Sequence, residues 1–143
     1  MIPVAVGPTG PVSGWEEAVR SAAQLLVDLG VATGDYPSAC VDIVREHGPY
    51  IVLAPGLALV HARPEAGGTG VGVGVRQVSP SVEFGHDAND PVDLLLSFCS
   101  PDDTAHVHAL TTLAGALADG LADRLRGASS REEVARQLEE ALT

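Results

Sequence analysis

The feature that most limits what this chain can fold into is the run Val92-Asp93-Leu94-Leu95-Leu96-Ser97-Phe98, in which polar residues interrupt an otherwise apolar stretch only at Asp93 and Ser97. A strand with one wet face alternates apolar and polar residues, whereas a nearly continuous apolar run needs cover on both faces. Helical patterns lie before and after this run, so the expected architecture is α/β, with a mixed sheet between helical layers.

The rest of the chain supplies those layers. Val4 to Val6 reads as a short strand. Ser13 and Glu16 form an S-x-x-E capping box for a helix over residues 13–29, whose Trp15, Ala18, Val19, Ala22, Leu26 and Leu29 recur at helical spacing before Gly30 stops it. A second helix is expected from Pro37 to His47, ended by Gly48. Tyr50 to Ala54 reads as a strand leading through the Pro55-Gly56 turn towards Val60 and His61. Val71 to Val78 is another strand, with glycines at Gly72 and Gly74. The glycine run over 67–74 lacks both the Gly-Lys-Ser/Thr of a phosphate loop and the following helix of a dinucleotide fingerprint, so its small residues are expected to admit a neighbouring element closely. Val82 to Phe84 reads as a short edge segment. Ser100, Pro101 and Asp103 predict a helix over 101–118 with His106, Leu110, Leu113, Ala114 and Leu117 on its buried stripe. A short helix over 119–126 and a last one, capped by Ser130 and running to Leu142, complete the chain, with no repeat or linker to divide its 143 residues into more than one domain.

Charge and composition restrict function. A net charge of -11 with only 8 basic residues argues against nucleic acid as a partner. It suits basic protein partners, although the dispersed acidic residues serve equally as a solvated surface. Cys40 and Cys99 sit in apolar surroundings with no metal or CxxC spacing, which predicts buried free thiols and a reducing compartment. With no transmembrane run and no basic leader at the start, a cytoplasmic protein is expected.

The chemistry points to one histidine among five. His61 follows the apolar residues Leu57 to Val60 and precedes Arg63 and Glu65, a place at the border of core and solvent where a nucleophile is both fixed and reachable. His47, at a helix end, and His86, in a polar turn, read as surface residues. His106 and His108 stand two apart on a helix and point in different directions, so they do not make a helical metal pair, and no metal or cofactor is expected. His106 falls on the buried stripe, where a histidine is by default a satisfied core group. Arg45 lies in the last turn of its helix, where the dipole favours a cation. Arg63 can contact an anion or pair with Glu65.

The run Gly48 to Glu65, together with Ser13-Gly14-Trp15-Glu16-Glu17-Ala18, Val82-Glu83-Phe84, Asn89-Asp90-Pro91-Val92 and His106-Val107-His108-Ala109-Leu110, resembles enzyme IIA proteins of the bacterial sugar phosphotransferase system. The resemblance is to the mannitol/fructose superfamily, most closely its ascorbate branch, and covers nearly the whole chain. It implies a three-layer α/β/α sandwich in which His61 accepts phosphate from the histidine phosphocarrier protein and passes it to a cysteine on enzyme IIB. The membrane is then involved only through enzyme IIC, which binds the sugar. It further implies that His106 is a supporting imidazole and that Arg45, sixteen positions before His61, contacts the phosphoryl group. Val60 stands where many relatives carry proline. A regulatory module of the same fold is the alternative. Leu57, Leu59 and Val60 are the apolar residues expected to meet the partners.

Overall fold

A computed structural model describes residues 2–143. Five strands, β1 (Val4–Val6), β2 (Val52–Ala54), β3 (Leu57–Val60), β4 (Gly72–Val82) and β5 (Val92–Cys99), form one sheet in the order β1-β4-β5-β3-β2. β1 runs parallel to β4 and β3 parallel to β5, while β4–β5 and β2–β3 are antiparallel, so the sheet is mixed as expected. Helices α1 (Trp15–Asp28) and α2 (Tyr36–His47) lie on one side, and α3 (Asp103–Ala118), α4 (Leu121–Arg126) and α5 (Arg131–Ala141) on the other.

β5 shows why its apolar run demands this arrangement. Leu95 and Cys99 belong to the core under α1 and α2, whereas Leu94, Leu96 and Phe98 belong to the core under α3, α4 and α5. The polar exception, Ser97, is fully buried and donates its hydroxyl to the Ala22 carbonyl of α1 at 2.7 Å. A buried hydroxyl needs such a partner, because leaving it unsatisfied costs about 1–3 kcal/mol.

The glycines of β4 act as expected. A Cβ on Gly74 would come within 2.5 Å of Ser97 Oγ and 3.2 Å of Leu25 Cβ, so α1 rests directly on the backbone of this strand. β4 is longer than its sequence suggests and takes in Ser79, Pro80 and Val82, which the sequence reading divides between a loop and a separate segment. The ladder with β5 shifts register between Gln77 and Val82, and this irregularity is how the sheet tolerates the proline.

Two capping expectations are corrected. The Ser13–Glu16 box does not form: α1 starts after Gly14, the Ser13 amide donates to Glu17 at 2.7 Å, and Glu16 is engaged by Arg45. α3 starts after Asp102, not Ser100, with the Asp102 carboxylate accepting from the Ala105 amide at 2.8 Å. In both places a longer or better placed carboxylate reaches the free amide, and short polar residues next to each other leave several N-cap choices open in sequence. Ser130 caps α5 as expected, accepting from the Glu133 amide.

Candidate active site

β3 delivers His61. The Pro55-Gly56 turn reverses the chain after β2, with Gly56 at φ 75°, a backbone region that side chains rarely adopt and that a turn of this kind requires at its second central residue. The four residues of β3 are then buried between β5 and β2, and the chain leaves the sheet at His61. The imidazole is half-buried at this point.

Three aromatic rings surround it. Phe98 of β5 stacks under His61 with ring centroids 5.1 Å apart. Tyr50 meets it edge-on at 6.3 Å. His106, in the first turn of α3, lies 5.9 Å away and also touches Phe98 at 5.1 Å. The two histidines that the sequence singles out, 45 positions apart (106 minus 61), therefore share one aromatic floor.

The hydrogen bond that orients His61 is local. Its Nδ1 lies 2.9 Å from the Leu59 carbonyl, and because a carbonyl only accepts, Nδ1 carries the proton. Nε2 is left with its lone pair. Burial, and then the nearby His106, hold the His61 imidazole below the ordinary histidine range, opposed by the Leu59 carbonyl, which favours the charged ring. The net effect keeps the neutral form.

A second hydroxyl fastens the chain just beyond. Tyr36, at the start of α2 and fully buried, accepts from the Ala62 amide at 3.0 Å and donates to the Phe98 carbonyl at 2.9 Å. It thus ties the residue after His61 to the strand that carries the stacking ring. Burial drives its phenol far above the ordinary tyrosine range, so it remains a neutral donor. Sequence reading missed this residue, since a tyrosine at a helix start carries no signal of what lies across from it.

His61 opens into a cleft of about 420 Å³ lined by Ile43, His47, Tyr50, Ala62, Arg63, Pro64, Glu65, Asp103 and His106. Arg45 does not line it. Ile43 and His47 are one helical turn apart and face the cleft, whereas Arg45 lies between them at about 200° around the helix from each. Its guanidinium accordingly points to α1, where it pairs with Glu16, and it also lies 3.5 Å from Asp42. Arg63 takes the cleft position and forms no ion pair with Glu65 among the described residues.

The remaining histidines are placed by their neighbours. His86 accepts from the Ala88 and Asn89 amides in its turn, His108 is exposed on α3, and His47 is exposed yet reaches the cleft wall. No group of His, Cys, Asp and Glu suited to hold a metal is found among the described residues. Cys40 and Cys99 are buried free thiols, pushed up by burial to about 12 and about 11. No helix among the described residues is long and apolar enough to cross a membrane.

One expectation about the surface is overturned. Leu57, Leu59 and Val60 are buried, because all four β3 residues have neighbours on both faces and Val60 pairs with Ser97 of β5. The exposed large apolar residues near the cleft are instead Tyr50, 46% exposed, and Val107, 62% exposed, which follows His106 on α3.

Residues 8–141 match the family model described as phosphoenolpyruvate-dependent sugar phosphotransferase system, EIIA 2. The ascorbate-specific phosphotransferase EIIA component of Escherichia coli K12 is 42% identical over 92 residues, which are 64% of this chain and 60% of that relative. The match thus spans about 60% of the length of such relatives. Among solved structures, the mannitol-specific cryptic phosphotransferase enzyme IIA of Escherichia coli superposes with a TM-score of 0.78 at 30% identity, covering 96% of this chain and 90% of that one. The complex of mannitol enzyme IIA with phosphorylated mannitol enzyme IIB from the same organism matches with a TM-score of 0.76 at 26% identity, covering 94% of each chain.

Proposed function

This chain belongs to the EIIA 2 family of the phosphoenolpyruvate-dependent sugar phosphotransferase system, and we propose that it acts there as a phosphoryl carrier whose acceptor atom is Nε2 of His61. The observation that carries this reading is the Nδ1 to Leu59 carbonyl contact at 2.9 Å, which leaves Nε2 unprotonated at the cleft. A neutral imidazole attacks phosphorus without a separate base.

The transfer balances without any further reactant. The Nε2 lone pair forms the new N–P bond as the N–P bond of the donor, the phosphorylated histidine phosphocarrier protein, breaks, and the electrons of the broken bond stay with the donor imidazole. The ring of His61 gains positive character as its second nitrogen is substituted, which strengthens the Nδ1–H bond to Leu59 as the reaction proceeds. The phosphoryl group spreads charge over its equatorial oxygens, so positioning and electrostatics supply most of the catalysis. His106, across the shared Phe98 ring, is the supporting imidazole that steadies those oxygens. The group then passes to a cysteine on an enzyme IIB of the cytoplasmic phosphotransferase chain.

The ascorbate-type assignment rests on the 42% identity to ascorbate-specific EIIA components. Binding of basic partners at the cleft is favoured by the net charge of -11. The test is a relay reaction with phosphoenolpyruvate, the general phosphotransferase enzyme and the histidine phosphocarrier protein, followed by peptide mapping in alkali and addition of an ascorbate-type IIB. An acid-labile label on His61 that moves to the IIB cysteine is expected, at a second-order rate that falls with salt. A label on His106, or none, would overturn the site. Retention on His61 with every IIB, coupled to altered binding of a regulator, would favour the signalling module instead.

A further inference from the structure

All the cations of this chain are arginines, eight in number, set among 19 carboxylates. Seven of them have a polar partner inside the fold. Arg45, Arg126 and Arg136 hold carboxylates, and the other four hold a hydroxyl or a backbone carbonyl. Arg63 is the exception among the described residues, with neither a carboxylate in ion-pairing range nor a hydrogen-bond acceptor.

Its position makes that vacancy informative. Arg63 stands two residues past His61, at the entrance to the short helical turn Pro64–Ala66, and lines the same cleft. It lies near enough to Tyr50, which borders His61, to pull that phenol downward against the effect of burial. The cleft otherwise presents two carboxylates, Glu65 and Asp103, to any incoming anion. A phosphoryl group arriving there meets repulsion from both, and Arg63 is the one arginine among the described residues that lines the cleft to compensate it. Its planar fork can hold two phosphoryl oxygens at once.

We propose that Arg63, rather than Arg45, is the catalytic cation that binds the transferring phosphoryl group at His61, an inference resting on the reading of His61 as the acceptor. Arg45, on α2, stays paired with Glu16 of α1 and links the two helices. The division follows from helix geometry, which turns Arg45 away from the cleft, and from the place of Arg63, an exposed residue that lines the cleft just before the turn Pro64–Ala66.

The experiment compares wild type, Arg63→Gln, Arg63→Lys and Arg45→Gln in single-turnover transfer from phosphorylated histidine phosphocarrier protein, with circular dichroism to verify folding. If wild type takes no label on His61, the acceptor reading itself fails. If it does, Arg63→Gln is expected to slow transfer by about 100-fold, the loss seen when one preorganised donor is removed from a transition state. Arg63→Lys should recover part of the rate, since it keeps the charge without the fork, and Arg45→Gln should stay near wild type. Phosphorus NMR gives a second readout: without Arg63 the phosphoryl group on His61 should titrate at higher pH, because a nearby cation favours its dianion. A folded Arg63→Gln protein that transfers at the wild-type rate with an unmoved phosphorus titration overturns the role of Arg63 while leaving His61 in place. A slow Arg45→Gln protein beside a normal Arg63→Gln protein returns the role to Arg45.

Discussion

The imidazole of His61 lies almost flat on the ring of Phe98, with centroids 5.1 Å apart and planes 25° from parallel. Phe98 is fully buried and sits on β5, the strand covered on both faces, so the floor of the cleft is part of the packed core. The same ring touches His106, which makes Phe98 the spacer between the two histidines. Phe98→Leu keeps an apolar side chain but removes the flat surface. It should cost about 1–3 kcal/mol of stability through lost burial and the space left behind and should slow His61 phosphorylation more than the stability loss explains. Urea unfolding and relay kinetics on the same protein check this, and an unchanged transfer rate would remove Phe98 from the positioning of His61.

The two histidines should respond differently to removal. His61→Ala eliminates the proposed acceptor atom and should take no phosphate. His106→Ala should still be labelled, at a rate lower by about 10–100-fold if it supplies one transition-state contact. Phosphohistidine mapping distinguishes the outcomes, and identical behaviour of two folded variants would end the division of roles.

The pH dependence has a definite sign. Burial first and His106 second hold the folded-state pKa of His61 below its unfolded value of about 6.5, despite the Leu59 carbonyl. The folded state therefore binds fewer protons than the unfolded state between the two values. This group's contribution to stability is present above about 6.5 and is lost as pH falls through the folded pKa. Phosphoryl acceptance should accordingly persist below pH 6.5 and fail at a lower midpoint. His106→Gln removes one of the lowering causes, so the His61 resonance should titrate at higher pH in that variant. NMR titration of both proteins tests the shift, and coincident curves would show that His106 does not act on His61.

Tyr36→Phe deletes one oxygen and orphans two backbone groups, the Ala62 amide and the Phe98 carbonyl. Each sits in the interior, where an unpaired polar group costs about 1–3 kcal/mol. A fall of that order in unfolding free energy is expected by chemical denaturation, together with slower phosphoryl transfer as the segment after His61 loosens. A variant as stable and as fast as wild type would show that the bridging hydroxyl is dispensable.

Gly68 is a stricter test of close packing. A Cβ there would lie 2.0 Å from the Ser100 carbonyl oxygen, a backbone atom that cannot rotate away. Gly68→Ala should destabilise by about 3 kcal/mol, the upper part of the range for overpacking, whereas Gly14→Ala, with open space around its Cβ, tests α1 without a clash. A thermal melt of Gly68→Ala indistinguishable from wild type would contradict the observed approach of these segments.

Much of this protein is determined by short-range pattern. The apolar run of β5 required a sheet covered on both sides, the Pro55-Gly56 turn placed β3 and the histidine that follows it, and Gly48 ended α2, because strand burial, turn chemistry and helix termination depend on residues close together in sequence. His61 and His106 were both legible there as well, the first from its apolar approach and both from the family motifs. Tertiary structure decided what required partners distant in the chain. The Arg45 side chain has two plausible roles in sequence, but the angle of α2 turns it to Glu16 and leaves the cleft to Arg63. Leu57, Leu59 and Val60 look available for docking until the helical layers on the two faces of the sheet cover them. Tyr36 gains its importance only from Ala62 and Phe98, 26 and 62 positions away. Local propensity cannot encode such pairings, because which side chains meet across the core is set by how the layers stack and by the direction each helix face is turned.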